Sequence, residues 1–168
     1  MTEIAEALPP PKARELYEMM RGAHDYYQND QREQRGEFTY TAKFSSSAIN
    51  VLHDFREYFQ MLKPRLEEAF GPISVKDTTI LAYRMDVNDH LARHRDSHLG
   101  RGFVLYLSPE WEWDWGGLLV VEEPNGPRAY KPEFNKAVLM DSPQTYHYVT
   151  KIEQRAKMPR YAMVGFLQ

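Results

Sequence analysis

His94-Arg95-Asp96 sets an imidazole and a carboxylate two positions apart. In a β-strand such residues share a face, so His94 and Asp96 aim together while Arg95 faces away. With a second histidine they complete a two-histidine, one-carboxylate set on one face of a metal ion. That is the arrangement of non-haem iron(II) sites, which leave the opposite positions open for dioxygen chemistry. The second histidine must come from a later strand, and His147 in Pro143-Gln144-Thr145-Tyr146-His147-Tyr148-Val149 is placed for it. A lone His-x-Asp also has a plainer reading, a ring N–H bonded to a nearby carboxylate. His90 and His98 lie close by, so spacing alone does not force the choice of ligands. His24 and His53 fall on expected helices and read as surface or packing residues. His90 falls in an expected loop, where it faces solvent, supports the site or touches substrate. The chain has no cysteine, so any metal must be held by histidine and carboxylate, which suits iron, manganese or zinc.

The rest of the composition narrows the setting. A chain of 168 residues fits one domain, enough to bury roughly two thirds of the surface its unfolded form exposes. With 42% hydrophobic and 27% charged residues, it has the make-up of a soluble globular protein. A formal net charge of -3 argues against a general nucleic-acid binder. Met1 to Pro11 carries Glu3 and Glu6 and lacks the basic start and apolar run of a signal peptide. No stretch approaches the ~18 apolar residues of a membrane span. The expectation is a cytoplasmic protein with no nucleic-acid or membrane partner.

The elements that must position these residues divide into two parts. The first third reads mainly as helix: Lys12 to Met20 after a proline triplet, then a second helix capped by Ser45-Ser46-Ser47. Ile49, Leu52, Phe55, Phe59, Leu62 and Leu66 give that second helix its apolar spacing of three and four. Pro64 would break or kink it, and Gly71-Pro72 would close it. Between the helices, Glu37 to Phe44 alternates as a strand or extended arm. From Thr78 onward the chain reads as short strands: Thr78 to Met85, Leu91 to Asp96, Gly102 to Leu107, Leu118 to Val121, Lys136 to Met140, Thr145 to Val149 and Arg160 to Leu167. Glycine- and proline-rich turns separate them, including Pro124-Asn125-Gly126-Pro127. The pattern predicts a mainly β barrel or jelly roll with helices packed on one outer sheet.

The order of features along the C-terminal half is more specific than any one of them. Tyr83 precedes His94 and Asp96. Then come Phe103-Val104-Leu105-Tyr106-Leu107-Ser108-Pro109-Glu110-Trp111 and Trp115-Gly116-Gly117-Leu118, then His147, then Arg160-Tyr161-Ala162-Met163-Val164-Gly165-Phe166. Over roughly Thr78 to Gln168 this order resembles the prolyl-hydroxylase-like branch of the iron(II)/2-oxoglutarate oxygenases. The resemblance implies a double-stranded β-helix with iron(II) and 2-oxoglutarate inside it, and one domain spanning 1-168. Residues 1-72 would be mainly helical support and an entrance arm, and 73-168 the catalytic barrel. It implies His94, Asp96 and His147 as the metal ligands and Arg160 as the anchor for the far carboxylate of 2-oxoglutarate. A guanidinium suits that task because it is always charged and grips carboxylates in a bidentate way. Arg155 is a rival in the charged loop Lys151 to Lys157. Thirteen positions separate His147 from Arg160, longer than is usual in this branch, which implies an extended loop. Tyr106 matches the position that assists the same carboxylate, and Tyr83 a tyrosine near the co-substrate. Gly116-Gly117 serves a tight turn or a close strand approach.

The implied reaction hydroxylates an unactivated C–H bond, consuming O2 and 2-oxoglutarate and releasing succinate and CO2. Halogenating relatives replace the carboxylate ligand with a small residue, whereas Asp96 is present here. Nucleic-acid demethylases carry a second arginine after the first on the last strand, and Tyr161 to Gln168 contains none. The alternative is a non-catalytic barrel that binds a metal or small ligand. The branch points to an amino acid, a peptidyl residue or an amino-acid-derived natural product as substrate. Glu37 to Ser47 and Trp111-Glu112-Trp113-Asp114-Trp115 are the expected entrance. In that loop the tryptophans either stack on a cationic group or pack the loop onto the barrel.

Overall fold

Apolar residues along the C-terminal strands alternate between two destinations, and the alternation generates two cores. Tyr161, Met163 and Leu167 join one buried cluster, while Ala162, Val164 and Phe166 join another. Phe103 and Leu105 part from Val104 and Tyr106 in the same way, as do Ala137 and Leu139 from Val138 and Met140. Successive side chains of a strand leave on opposite faces, so one sheet is buried on both sides. The computed structural model describes residues 1–23, 26–35, 38–47, 56–74, 79–96 and 100–167. Over 27–35 and 38–47 the description is of the backbone.

The described strands are β1 (Thr2–Ile4), β2 (Tyr27–Arg35), β3 (Phe38–Ser47), β4 (Thr79–Met85), β5 (His90–His94), β6 (Arg101–Tyr106), β7 (Leu119–Glu123), β8 (Gly126–Tyr130), β9 (Lys136–Met140), β10 (His147–Val149) and β11 (Arg160–Leu167). Among the described residues two α-helices accompany them, α1 (Pro10–Gly22) and α2 (Arg56–Phe70). The strands pair antiparallel in the order β1-β9-β6-β11-β4-β3-β5-β10-β7-β8, with β2 added on β3. Ala13, Leu16 and Met20 of α1 and Phe59, Leu62 and Leu66 of α2 cover one face of the β9-β6-β11-β4 layer. The other face looks inward on Leu119, Val121, Val149, Trp111 and Trp115. The last strand sits in the middle of its layer, and Gly165 shows how tightly: a Cβ there would lie 2.1 Å from the ring of Phe103. The two ends of the strand path are bridged by charge. Glu3 of β1 meets Arg128 of β8 at 2.6 Å and Lys136 of β9 at 2.7 Å.

Several expectations need correction. Ser45-Ser46-Ser47, expected as a helix cap, pair with Arg84, Tyr83 and Ala82 in the ladder between β3 and β4, so the expected strand of Glu37 to Phe44 runs on through the serines. The second helix is described over Arg56–Phe70, and the expected positions Ile49, Leu52 and Phe55 lie outside the described residues. Pro64 lies inside that helix without ending it. The two later prolines of the triplet occupy the first turn of α1, where a missing N–H costs no helical bond. β5 ends at His94, so Asp96 lies just beyond the strand. Strands β1, β2 and β8 were not expected; β1 and β2, with the expected β3, give the first 72 residues three strands beside the helices. Pro124 and Asn125 form the two-residue turn between β7 and β8, in which Gly126 already pairs with Glu123.

Candidate active site

His94 closes β5 and His147 opens β10, and the two residues face each other across the ladder. Their rings stand 4.3 Å apart, centre to centre. Asp96 Oδ1 lies 3.5 Å from His94 Nε2, and Asp96 Oδ2 lies 3.3 Å from His147 Nε2. Asp96 reaches this position although its strand has ended, because its backbone N–H donates to the Ser142 carbonyl at 3.2 Å. One ligand atom from each of the three residues falls within 4.8 Å of the other two.

The second ring nitrogens define the proton positions. His94 Nδ1 sits 2.7 Å from the Ala92 carbonyl, and His147 Nδ1 sits 3.1 Å from that of Thr145. A carbonyl only accepts, so each Nδ1 carries the proton and each Nε2 presents a lone pair inward. Two imidazole lone pairs and a carboxylate thus converge in a buried place, an arrangement that calls for a cation between them. Two nitrogens and one oxygen on one face are the donor set of a non-haem iron(II) centre. Among the described residues His90 is outside this cluster, with Nδ1 3.3 Å from the Asn88 carbonyl at the start of β5. His98, His24 and His53 lie outside the described residues.

A second polar feature is set in the same interior. Arg160 begins β11 opposite Met85 and is only 2% exposed. Its Nη1 donates to Met85 Sδ at 3.4 Å, and its Nε has no partner. The Tyr106 hydroxyl is also buried without a partner, and the guanidinium lies 5.1 Å from the Tyr106 ring centre. Burial pulls Arg160 below its ordinary value, while Tyr106 works the other way. A buried cation and a buried hydroxyl side by side, both short of partners, fit an anionic ligand with a carboxylate end. Val149 shares the face of His147 and packs in the cluster that contains Tyr106 and Met85, so both features open on one interior. Tyr83 lines this interior from β4, two residues before Met85. Arg155 is exposed and paired with Asp114 at 3.0 Å, which removes it as a rival to Arg160.

Two supports of Arg160 come from Ser108 and Gly117. Ser108 is fully buried; its hydroxyl accepts from Tyr161 N–H at 2.8 Å and donates to the Pro159 carbonyl at 3.0 Å, bracketing Arg160 on both sides. Its place in the Tyr106-Leu107-Ser108 motif was the available signal. Gly117 lies against the Arg160 stem, where a Cβ would come within 3.1 Å of Arg160 Cδ, Ile152 and Trp111. Its φ of +64° also favours glycine. At Gly116 a Cβ would lie 2.0 Å from the Lys151 carbonyl. The tryptophan loop divides: Trp111 and Trp115 are buried edge to face, with Trp111 Nε1 donating to the Gly116 carbonyl, while Trp113 is exposed.

The chain belongs to the 2OG-Fe(II) oxygenase superfamily, whose family model matches residues 78–168. It is therefore an oxidoreductase that uses iron(II) and 2-oxoglutarate. Solved structures share its fold at low identity. A prolyl-4-hydroxylase from Pseudomonas putida aligns with a TM-score of 0.71 at 16% identity, covering 99% of this chain and 91% of that one. A Trichoplax adhaerens prolyl hydroxylase, solved with a peptide fragment of the oxygen degradation domain of hypoxia inducible factor, gives 0.75 at 16% identity, covering 99% and 82%. SnoN, an α-ketoglutarate-dependent epimerase of nogalamycin biosynthesis, gives 0.70 at 12% identity, covering 99% and 76%. No curated protein matches the sequence. Among the described residues no helix is long and apolar enough to cross a membrane.

Proposed function

We propose that the chain hydroxylates an unactivated C–H bond of an amino acid, a peptidyl residue or an amino-acid-derived natural product. In this reading His94, Asp96 and His147 hold iron(II). Arg160 binds the far carboxylate of 2-oxoglutarate, Tyr106 donates its hydroxyl to the same group, and Tyr83 lines the wall nearby. The bound iron and 2-oxoglutarate supply the oxidising chemistry, with O2 consumed and succinate and CO2 released. The protein's own contribution is positional. Carbonyls fix the tautomer of both histidines, Ser142 fixes the backbone of Asp96, and the barrel wall keeps water from the reacting centre. The observation that carries the reading is Arg160, a buried guanidinium short of a partner in the interior that the three ligands face. The strand order supports a double-stranded β-helix, with 73–168 as the catalytic barrel of one domain and 1–72 as its support and entrance.

The test is to load the protein anaerobically with iron(II) and 2-oxoglutarate, admit O2 with pooled amino acids, peptides and nucleosides, and follow products by mass spectrometry. An amino-acid-derived product one oxygen atom heavier supports the proposal. Oxygenation of a nucleoside alone defeats it, and an inverted stereocentre without a change of mass would make the reaction an epimerisation. Alanine at His94, Asp96 or His147 is expected to remove metal binding in titrations with Co(II), while His90→Ala retains it.

A further inference from the structure

The histidines that face each other across β5 and β10 depend on a weakly specified ladder. β10 is three residues long, and its register against β5 shifts between His147 and Val149. A slip of one residue would turn His147 outward, because side chains alternate along a strand. The opposite face of these strands carries a strap. Arg93, one residue before His94, reaches across β10 to Glu122 of β7. Its Nε and Nη2 donate to the two carboxylate oxygens at 2.6 and 2.7 Å. On the way its guanidinium lies 3.6 Å from the ring centre of Tyr146, the residue before His147. Arg95 covers the same ring at 4.6 Å. Glu122 follows Val121, the β7 partner of His147, and its N–H donates to the Tyr146 carbonyl at 2.9 Å. Each member of the strap is thus the immediate chain neighbour of a metal ligand or of the residue paired with one.

We propose that Arg93, Glu122, Tyr146 and Arg95 are positioning residues that lock β5, β10 and β7 in the register that aims His94 and His147 at one metal ion. An exposed ion pair alone contributes little. This one is bidentate and stacked on an aromatic face, and both features give it a defined geometry. The assignment rests on the reading of His94, Asp96 and His147 as metal ligands.

Titration of the metal-free chain with Co(II) under argon tests it, with thermal unfolding of the metal-free variants measured in parallel. Arg93→Ala and Tyr146→Leu should each weaken Co(II) by about tenfold, while the metal-free unfolding temperature barely moves. Tyr146→Phe keeps the stacking face and should bind as the parent does. The charge swap Arg93→Glu with Glu122→Arg should recover part of what Arg93→Glu alone loses. Unchanged Co(II) affinity in both Arg93→Ala and Tyr146→Leu overturns the inference. So does a loss of affinity that only tracks lost unfolding temperature across Arg93→Ala, Tyr146→Leu and Tyr146→Phe. Should His94→Ala bind Co(II) as tightly as the parent, the ligand assignment fails instead, and that outcome is read separately.

Discussion

Arg160 is where chemistry and stability pull apart most clearly. A guanidinium removed from water without a charged partner destabilises the ligand-free fold. Arg160→Met keeps much of the volume and removes the charge. It is expected to raise ligand-free stability by about 1–4 kcal/mol, the range seen when buried charges give way to apolar side chains. The same variant should weaken 2-oxoglutarate by about 3–5 kcal/mol, since it strands the carboxylate, and leave Co(II) binding nearly intact. Unfolding midpoints and calorimetric titration read both effects. Unaltered 2-oxoglutarate affinity would move the anchor elsewhere. At this scale the sequence was readable where residues act on near neighbours, as in His94 and Asp96. It was opaque where a role depends on distant packing. Nothing in the run Trp115-Gly116-Gly117 tells that the second glycine touches the stem of Arg160, and Ser108 read only as one position of the run from Phe103 to Trp111.

Among the elements, β11 shows what tight packing demands. Gly165 admits the Phe103 ring across the ladder, so Gly165→Ala should destabilise by about 1–3 kcal/mol, the usual cost of overpacking. Phe103→Leu in the same chain should recover part of that loss; denaturant unfolding of the two single variants and the double tests the coupling. The helices supply a pH-dependent tie. Burial, and then the hydrogen bond to Glu15 of α1, push the Tyr58 hydroxyl of α2 up to about 12 from an ordinary 10.0. The unfolded chain loses that proton first, so the tie is intact below pH 10 and its contribution is lost as pH rises to about 12. Wild type should lose more stability than Tyr58→Phe across that window, and equal losses would exclude the tie. Strands such as β6, β9 and β11 were legible because burial on both faces writes a short, nearly unbroken apolar run into the sequence. β2, reading YQNDQREQR, carries no such run. It is a strand because its backbone pairs with β3 along nine positions, information that no single segment holds.

For the whole molecule, charge joins the first strand of the path to the last through Glu3, and the helices close one face, leaving the inner face as the proposed seat of iron and co-substrate. The donor set and the mainly β class could be anticipated from 78–168, but the insertion of β3 between β4 and β5 could not, since that pairing spans distant chain segments. The unpaired Arg160 carries one further implication. On the role proposed for it, a buried Arg160 with no carboxylate partner among the described residues is satisfied only when the co-substrate arrives, and the fold gains about 1.4 kcal/mol for every tenfold rise in free 2-oxoglutarate above its dissociation constant. Proteases remove chains in proportion to their opened fraction, so the half-life of this enzyme in a cell should lengthen when 2-oxoglutarate is plentiful and shorten when it is scarce. Supply of the co-substrate would then set how much enzyme is present as well as how fast each molecule works.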